Sequence, residues 1–318
     1  MGPAVSIVIP TFRRPERAVE AVRSALAQVG APDFEIVVVD NDPAGSALPR
    51  LEALALAEDR IPIRVLHAPD PGVAHARNRA LAAVRGDWIA FLDDDETATP
   101  GWLAELLRVQ DMTGADVVFG PVLTRLPFTP SAHGEFYEAF FARAPDHAEG
   151  LIDETYGCGN SLIRRSALPD GGEAPFSIAH NETGGEDDVL FQRMRLSGKR
   201  FAWASAALAL ETPEPSRVNL GYTLRRAFAY GQGPAHGAWR EGKPLRTLAW
   251  MGVGAVQAAV FGLGSLAGFV LRSRRRAFAY ARTAEGLGKI FWPRAFEPKF
   301  YGAAALPRPV SAKPASAR

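Results

Sequence analysis

Three consecutive carboxylates, Asp93, Asp94 and Asp95, follow directly on the apolar run Trp88-Ile89-Ala90-Phe91-Leu92. A run of this length reads as a buried strand, so the acids fall at its C-terminal end. Adjacent carboxylates repel one another unless a cation, or a metal carrying a diphosphate, compensates them. Hard divalent ions take oxygen ligands from one or two carboxylates together with substrate phosphates, and that is the chemistry such a cluster could do. A solvated acidic turn is the plain alternative. Two further acidic segments accompany the triad: Asp40-Asn41-Asp42 before it, and Glu186-Asp187-Asp188 after the glycine pair Gly184-Gly185.

The elements that must position these residues alternate along the chain. Residues 5–9 read as a strand, followed by a turn with Pro10 and Pro15 and by a helix over 17–29. A buried strand over 34–39, a helix over 48–56, a strand over 63–66, a helix over 73–84 and a strand over 88–92 continue the pattern. Strands separated by helices of this length predict a largely parallel α/β sheet with right-handed crossovers. In such sheets ligands gather outside the carboxyl ends of the strands. Three of the four strands end in polar residues: Thr11 and Arg13, Asp40 and Asp42, Asp93 to Asp95. Beyond them, 116–120 reads as a strand, 135–143 as a short helix, 157–164 as a turn into a strand and 200–210 as one strand, with 189–197 amphipathic.

Composition is that of an ordinary globular protein, at 47% hydrophobic and 22% charged residues. The net charge of +1 hides an asymmetry: residues 1–215 carry 19 Lys and Arg against 32 Asp and Glu, and residues 216–318 carry 17 against 3. A basic rear half suits an anionic phospholipid surface or nucleic acid. The single cysteine, Cys158, excludes an internal disulfide. The first strand begins within a few residues of Met1, with no visible signal peptide, so the front half is expected in the cytoplasm. His75, His133, His147, His180 and His236 lack zinc-site spacing.

Six ordered motifs carry a resemblance. They are Ser6-Ile7-Val8-Ile9-Pro10-Thr11-Phe12-Arg13-Arg14, Val37-Val38-Val39-Asp40-Asn41-Asp42, Gly72-Val73-Ala74-His75-Ala76-Arg77-Asn78, Phe91-Leu92-Asp93-Asp94-Asp95-Glu96, Gly157-Cys158-Gly159-Asn160 and Gly184-Gly185-Glu186-Asp187-Asp188. Together they resemble family 2 glycosyltransferases with the GT-A nucleotide-diphospho-sugar transferase fold, over about the first two-thirds of the chain. The part from Gly157 onward, with Arg225-Arg226-Ala227-Phe228, is similar to bacterial exopolysaccharide enzymes of the succinoglycan type.

The resemblance implies roles. Pro10, Thr11, Arg13, Asp40 and Asp42 would hold the nucleotide, with Asp94 on the ribose. Asp40 could equally brace a turn or cap a helix. Arg77 would neutralise the diphosphate or brace the triad, a plain salt bridge being the alternative. Asp95, supported by Asp93, would ligate Mg2+ or Mn2+. Asp187 would be the base of an inverting displacement, with Glu186 and Asp188 as rivals, although acids there also suit a helix N-terminus. Gly159, Asn160 and Gly185 would stand on the acceptor and sugar side, and Cys158 reads as a small packing residue. Two departures stand out: Val189 replaces an expected acid, and Glu211 stands where many members carry a metal-binding histidine.

Residues 248–271 hold no charge, long enough for one bilayer crossing. Basic clusters flank both sides: Arg225, Arg226, Arg240, Lys243 and Arg246 before, Arg272, Arg274, Arg275 and Arg276 after. A single crossing would put one cluster outside, against the positive-inside tendency. A re-entrant turn near Gly262-Leu263-Gly264 would keep both on one face. The division expected is a catalytic domain over 1–215, a helical membrane-associating region over 216–302 and a disordered tail over 303–318. The expected partners are a nucleotide-sugar donor (a UDP-sugar first), a glycan or lipid-linked acceptor, and an anionic membrane surface rather than nucleic acid. Peripheral, monotopic attachment at the cytoplasmic face is favoured over a single-pass helix, and a buried helical hairpin is the third option. A sugar-phosphate nucleotidyltransferase and a non-catalytic scaffold of the same fold are the competing functions.

Overall fold

A computed structural model describes residues 2–181 and 184–300. The tail expected over 303–318 lies outside the described residues. In chain order the elements are β1 (Val5–Thr11), α1 (Pro15–Leu26), β2 (Phe34–Asp40), α2 (Leu48–Ala57), β3 (Ile63–His67), α3 (Val73–Leu81) and β4 (Trp88–Phe91). There follow β5 (Glu96–Ala98), α4 (Trp102–Thr113), β6 (Val117–Phe119), β7 (Val122–Thr124), α5 (Gly134–Phe141), β8 (Gly150–Ile152) and β9 (Ser161–Arg164). Then come α6 (Glu186–Leu196), β10 (Phe201–Trp203), β11 (Ala209–Glu211), α7 (Leu220–Arg240), α8 (Pro244–Val270) and α9 (Arg276–Ile290).

The larger sheet runs β3-β2-β1-β4-β9-β6-β10-β8. Strands β1 to β4 are mutually parallel, and β9 is antiparallel to both neighbours. β1 and β2 are buried along their whole length, as β-branched runs covered on both faces must be. The pleat sends Val5, Ile7 and Ile9 into one core with α1, α2 and α4, where Trp102, Leu103 and Leu106 pack. Val8, Val37 and Val39 go into the other core with α3 and α6, where Ala76, Ala80, Leu190 and Phe191 pack.

Strand order reverses at β1, because the chain runs outward through β2 and β3 and returns to its other side at β4. A crevice therefore opens at the carboxyl ends of β1 and β4. Register decides what meets there. Val8 stands beside Phe91, so three residues on Thr11 comes level with Asp94.

The stretch 200–210, expected as one strand, is two. β10 joins the large sheet, and the chain turns through Ala204–Leu208 before β11 enters a small sheet of order β5-β11-β7. That turn brings Glu211 opposite Glu96. The expected re-entrant turn at Gly262 is absent, and α8 is one unbroken helix. Glycine is tolerated inside an otherwise apolar helix, and here it lets helices approach closely: a Cβ at Gly254 would stand 2.6 Å from Gly286 O of α9. α8 folds back onto α9 through a turn carrying Arg272, Arg274 and Arg275.

Candidate active site

One cavity of about 580 Å³ lies over the crevice, lined at one end by Thr11, Arg14 and the aspartate triad and at the other by Gly185, Asp187 and Asp188. At the first end the Thr11 hydroxyl donates to Asp94 Oδ2 at 2.7 Å. Arg14 donates to Asp94 Oδ1 at 2.8 Å and to Asp95 Oδ2 at 2.9 Å, and also pairs with Glu214 at 3.3 Å. Arg217 approaches Asp95 at 4.0 Å.

Arg77 joins the two ends. It is 4% exposed, donates to Glu186 Oε1, and reaches Asp93 Oδ1 at 3.3 Å, with its guanidinium 5.5 Å from the centre of the Phe176 ring. Both alternatives left open for Arg77 are thereby narrowed: it braces the triad and the start of α6 simultaneously. Gly185 turns into α6 at φ 89, and Glu186, Asp187 and Asp188 form its first turn, where acids complement the helix dipole. Asp187 Oδ2 accepts from the Cys158 amide at 3.0 Å, and Oδ1 accepts from the Asp188 amide at 2.9 Å. Its carboxylate is thus aimed by backbone while still lining the cavity.

Negative charge exceeds what the arginines offset. Burial, then repulsion from Asp95 and Asp93, pushes Glu211 up to about 8. Burial raises Asp93, Asp95 and Glu96 above the ordinary carboxyl range, against the pull of Arg77, Arg14 and Arg143 respectively. Burial holds Glu186 at about 7 even beside Arg77. Among the described residues no three or more His, Cys, Asp or Glu donors are already gathered about one metal position. The donor chemistry nevertheless fits Mg2+ or Mn2+: clustered carboxylate oxygens short of positive charge are what a hard divalent cation takes. Burial likewise raises the Cys158 thiol, consistent with a packing residue rather than a nucleophile.

Several expected site residues sit elsewhere. Asp40 has no exposed surface; its oxygens accept from the amides of Asp42 at 3.0 Å and Ala47 at 2.7 Å, so it braces the turn into α2 and does not line the cavity. Its neighbour Asn41 lines the cavity instead. Arg13 and Asp42 pair with each other at 3.1 Å away from the cavity wall, and Arg14 occupies the position expected of Arg13. Arg13 adopts φ 58, which reverses the direction of successive side chains in a way residue type does not announce. Asn160 is fully buried, accepting from Trp102 Nε1 at 2.6 Å and donating to the carbonyls of Pro121 and Ala207. It holds the interior together and does not line the cavity. Gly159 does line the cavity, and a Cβ there would stand 2.5 Å from Asp93 Oδ2. Pro10, Asp93, Asp94, Asp95, Arg77, Gly185, Glu186, Asp187, Asp188 and Glu211 line it as well.

Residues 6–172 match the family described as Glycosyl transferase family 2. The chain belongs to that family. This glycosyltransferase is 36% identical over 236 residues to the succinoglycan biosynthesis protein ExoM of Rhizobium meliloti (strain 1021), spanning 72% of this chain and 73% of that protein. It is 37% identical over 115 residues to ExoO of the same organism, covering 36% of this chain and 32% of that protein. Among solved structures, the mannosyltransferase PcManGT of Pyrobaculum calidifontis, in complex with GDP-Man and Mn2+, superimposes with a TM-score of 0.60 at 18% identity, covering 92% of this chain and 88% of that one. S. aureus TarS 1-349 in complex with UDP-GlcNAc superimposes with a TM-score of 0.51 at 17% identity, over 88% of this chain and 90% of that one. At such identities the likeness concerns the fold, and the fold is GT-A as expected. The cavity thus brings together the triad and the α6 acids, whereas Arg143, Arg217 and Glu96 had no role assigned from sequence. Arg14 closes the loop 10–14 expected to hold the nucleotide, and Glu96 ends the fourth motif.

Proposed function

We propose that this glycosyltransferase is an inverting, divalent-metal-dependent enzyme that moves a sugar from a nucleotide-diphosphate sugar, a UDP-sugar first, to a hydroxyl of a glycan or lipid-linked acceptor. Its setting would be cell-surface polysaccharide biosynthesis, in keeping with the succinoglycan biosynthesis proteins it resembles. The observation that carries the reading is the single cavity with the triad at one end and the aimed carboxylate of Asp187 at the other, the two tied by Arg77.

The acceptor hydroxyl oxygen attacks the anomeric carbon, forming a C–O bond as the bond from that carbon to the diphosphate oxygen breaks. The hydroxyl proton would pass to Asp187, which lines the cavity. Glu186 is unsuited to that task, because it is 4% exposed and paired to Arg77. Asp188 remains the rival. One displacement by one base needs no covalent intermediate. Asp94, held by Thr11 and Arg14, is placed to accept from a ribose hydroxyl. Arg14 and Arg217, both beside Asp95, would offset negative charge on the leaving diphosphate. Asp95, Asp93 and Glu211 would hold Mg2+ or Mn2+, which when bound offsets the charge of the diphosphate as a Lewis acid.

For location, we infer peripheral attachment of 216–302 to the cytoplasmic face of the membrane. α8 is long and apolar enough to cross a bilayer, and among the described residues it is the only such helix. Leu248, Val256, Leu263 and Phe269 on it are exposed. α9, however, packs along α8 and carries Arg282, Glu285 and Lys289, charges that a crossing would draw into hydrocarbon. An in-plane helix keeps both basic clusters at one anionic surface.

Thermal unfolding with UDP and Mn2+ tests the donor site. Binding should raise the unfolding temperature by mass action, and Asp95→Ala should abolish the Mn2+-dependent part. An unchanged shift in that variant would remove Asp95 from the metal site.

A further inference from the structure

Beyond Asp187 and Asp188 the cavity wall changes character. Tyr222, Arg226 and Tyr230 recur at every fourth position of α7, so they form one stripe, and all three line the cavity. Phe140 and Phe141 of α5 face the stripe. Phe140 lies 6.3 Å from Tyr230 between ring centres, and Phe141 lies 6.3 Å from Tyr222 at an interplanar angle of 20°. The Arg226 guanidinium sits 5.0 Å over the Tyr230 ring, and its Nε donates to the Tyr230 hydroxyl at 3.2 Å.

Tyr222 is packed by Phe141, Phe300 and Arg217, but Tyr230 is not simply packing between helices. Phe136 and Tyr137, one turn back on α5, are buried and fill the contact with α9. Tyr230, by contrast, is 58% exposed although it stands on the wall of the cavity. An aromatic ring left exposed on a cavity wall offers a ligand a flat apolar face and a polar tip. The chemistry at this end is also unlike that of the triad end: flat apolar faces edged by a guanidinium and phenol hydroxyls. A pyranose ring presents the complement, with an apolar C–H face and a rim of hydroxyls.

We propose that Phe140, Tyr222 and Tyr230, with Arg226, form the acceptor subsite, and that its ligand is a carbohydrate whose ring stacks on the tyrosine stripe while its hydroxyls meet Arg226. Tyr222 lies beneath Arg217, which reaches Asp95, and Arg226 acts on the Asp188 carboxyl, so the stripe runs alongside the α6 acids where an acceptor hydroxyl would meet Asp187. The inference rests on the glycosyl-transfer reading above and adds the location and chemical class of the acceptor.

Saturation-transfer NMR on the full chain with UDP and Mn2+ present tests it. The probes are methyl β-glucoside, methyl β-galactoside, methyl α-mannoside and cellobiose. These carry no long alkyl chain that could adhere to α8. Ring protons of at least one probe should receive saturation in the wild type. Tyr230→Ala should weaken that probe by about fivefold or more, Tyr230→Phe should keep most of the affinity, and the UDP signals should be unchanged in both. Saturation that survives both Tyr230→Ala and Tyr222→Ala overturns the proposal, as does absence of saturation for every probe. Donor hydrolysis separates the two levels. If it persists while all glycans fail to bind, the acceptor subsite falls and the transferase reading stands; if UDP binding and hydrolysis are also missing, the reading beneath it fails.

Discussion

Replacing Arg77 by methionine removes the guanidinium that ties the two ends of the cavity while leaving a stem to pack on Phe176. Glu186 and Asp93 then lose their common partner inside a site where Glu186 is 4% exposed. Breaking a buried ion pair from one side destabilises a protein by about 3–5 kcal/mol, out of a total of about 5–15. The pH dependence follows from Glu186. Burial holds its carboxyl at about 7 in the folded wild type, whereas an unfolded glutamate titrates near about 4.3. Between those values the folded state binds more protons than the unfolded one, so this group makes wild-type stability fall as pH rises, and the fall ends above about 7. Without Arg77 the folded Glu186 keeps its proton to higher pH, so the variant's stability goes on falling by up to about 1.4 kcal/mol per pH unit for as long as that proton is held. The gap between the two proteins at about pH 8.5 should therefore exceed the gap at about pH 6, by up to about 2 kcal/mol. Urea unfolding followed by tryptophan fluorescence at both pH values measures it. A gap independent of pH, or one under about 1 kcal/mol at the higher pH, would refute the account of Arg77 as the buried tie.

Gly159→Ala should cost about 1–3 kcal/mol of stability and lower donor turnover per folded molecule about tenfold or more, because the new Cβ would stand 2.5 Å from Asp93 Oδ2 and 2.9 Å from Glu96 Oε1. Steady-state kinetics beside a melting curve separates the two effects. Asn160→Ala should act on stability alone. It strips Trp102 Nε1 and two buried carbonyls of their partners and places alanine at φ 51, for a loss of about 3 kcal/mol or more by denaturant titration, with activity per folded molecule little changed.

The parallel sheet was legible because β1, β2 and β4 are apolar runs spaced by helix-length segments, and the site was legible where acids end those runs. Asp93–Asp95 and Asp187 lie far apart in sequence; acids clustered at a strand end nominated the first, and the family resemblance nominated the second. What escaped notice depends on direction rather than on type. Arg13 and Arg14 are the same residue, and only the positive φ of Arg13 turns one outward and the other onto the triad. Asp40 and Asn160 are polar residues in motif positions, and only burial reveals that their hydrogen bonds are spent on backbone and core. The segment 200–210 looked like one strand because alanines do not distinguish strand from turn, and its division is what delivers Glu211 to Glu96. The glycines near 262 suggested a turn in α8, yet helix contacts rather than local propensity decide such a segment.

The central claim is that this glycosyltransferase cleaves a nucleotide-sugar bond at the triad and moves the acceptor proton at Asp187. Nucleoside diphosphate release from a panel of UDP-, GDP- and dTDP-sugars, with a glycan acceptor mixture and Mn2+, measures it directly when the wild type and Asp187→Asn are compared. The account predicts release with at least one donor in the wild type, a drop of about 10²–10⁴-fold in the variant, and unchanged donor binding in both. Full turnover by Asp187→Asn, or release of pyrophosphate in place of the nucleoside diphosphate, would contradict it.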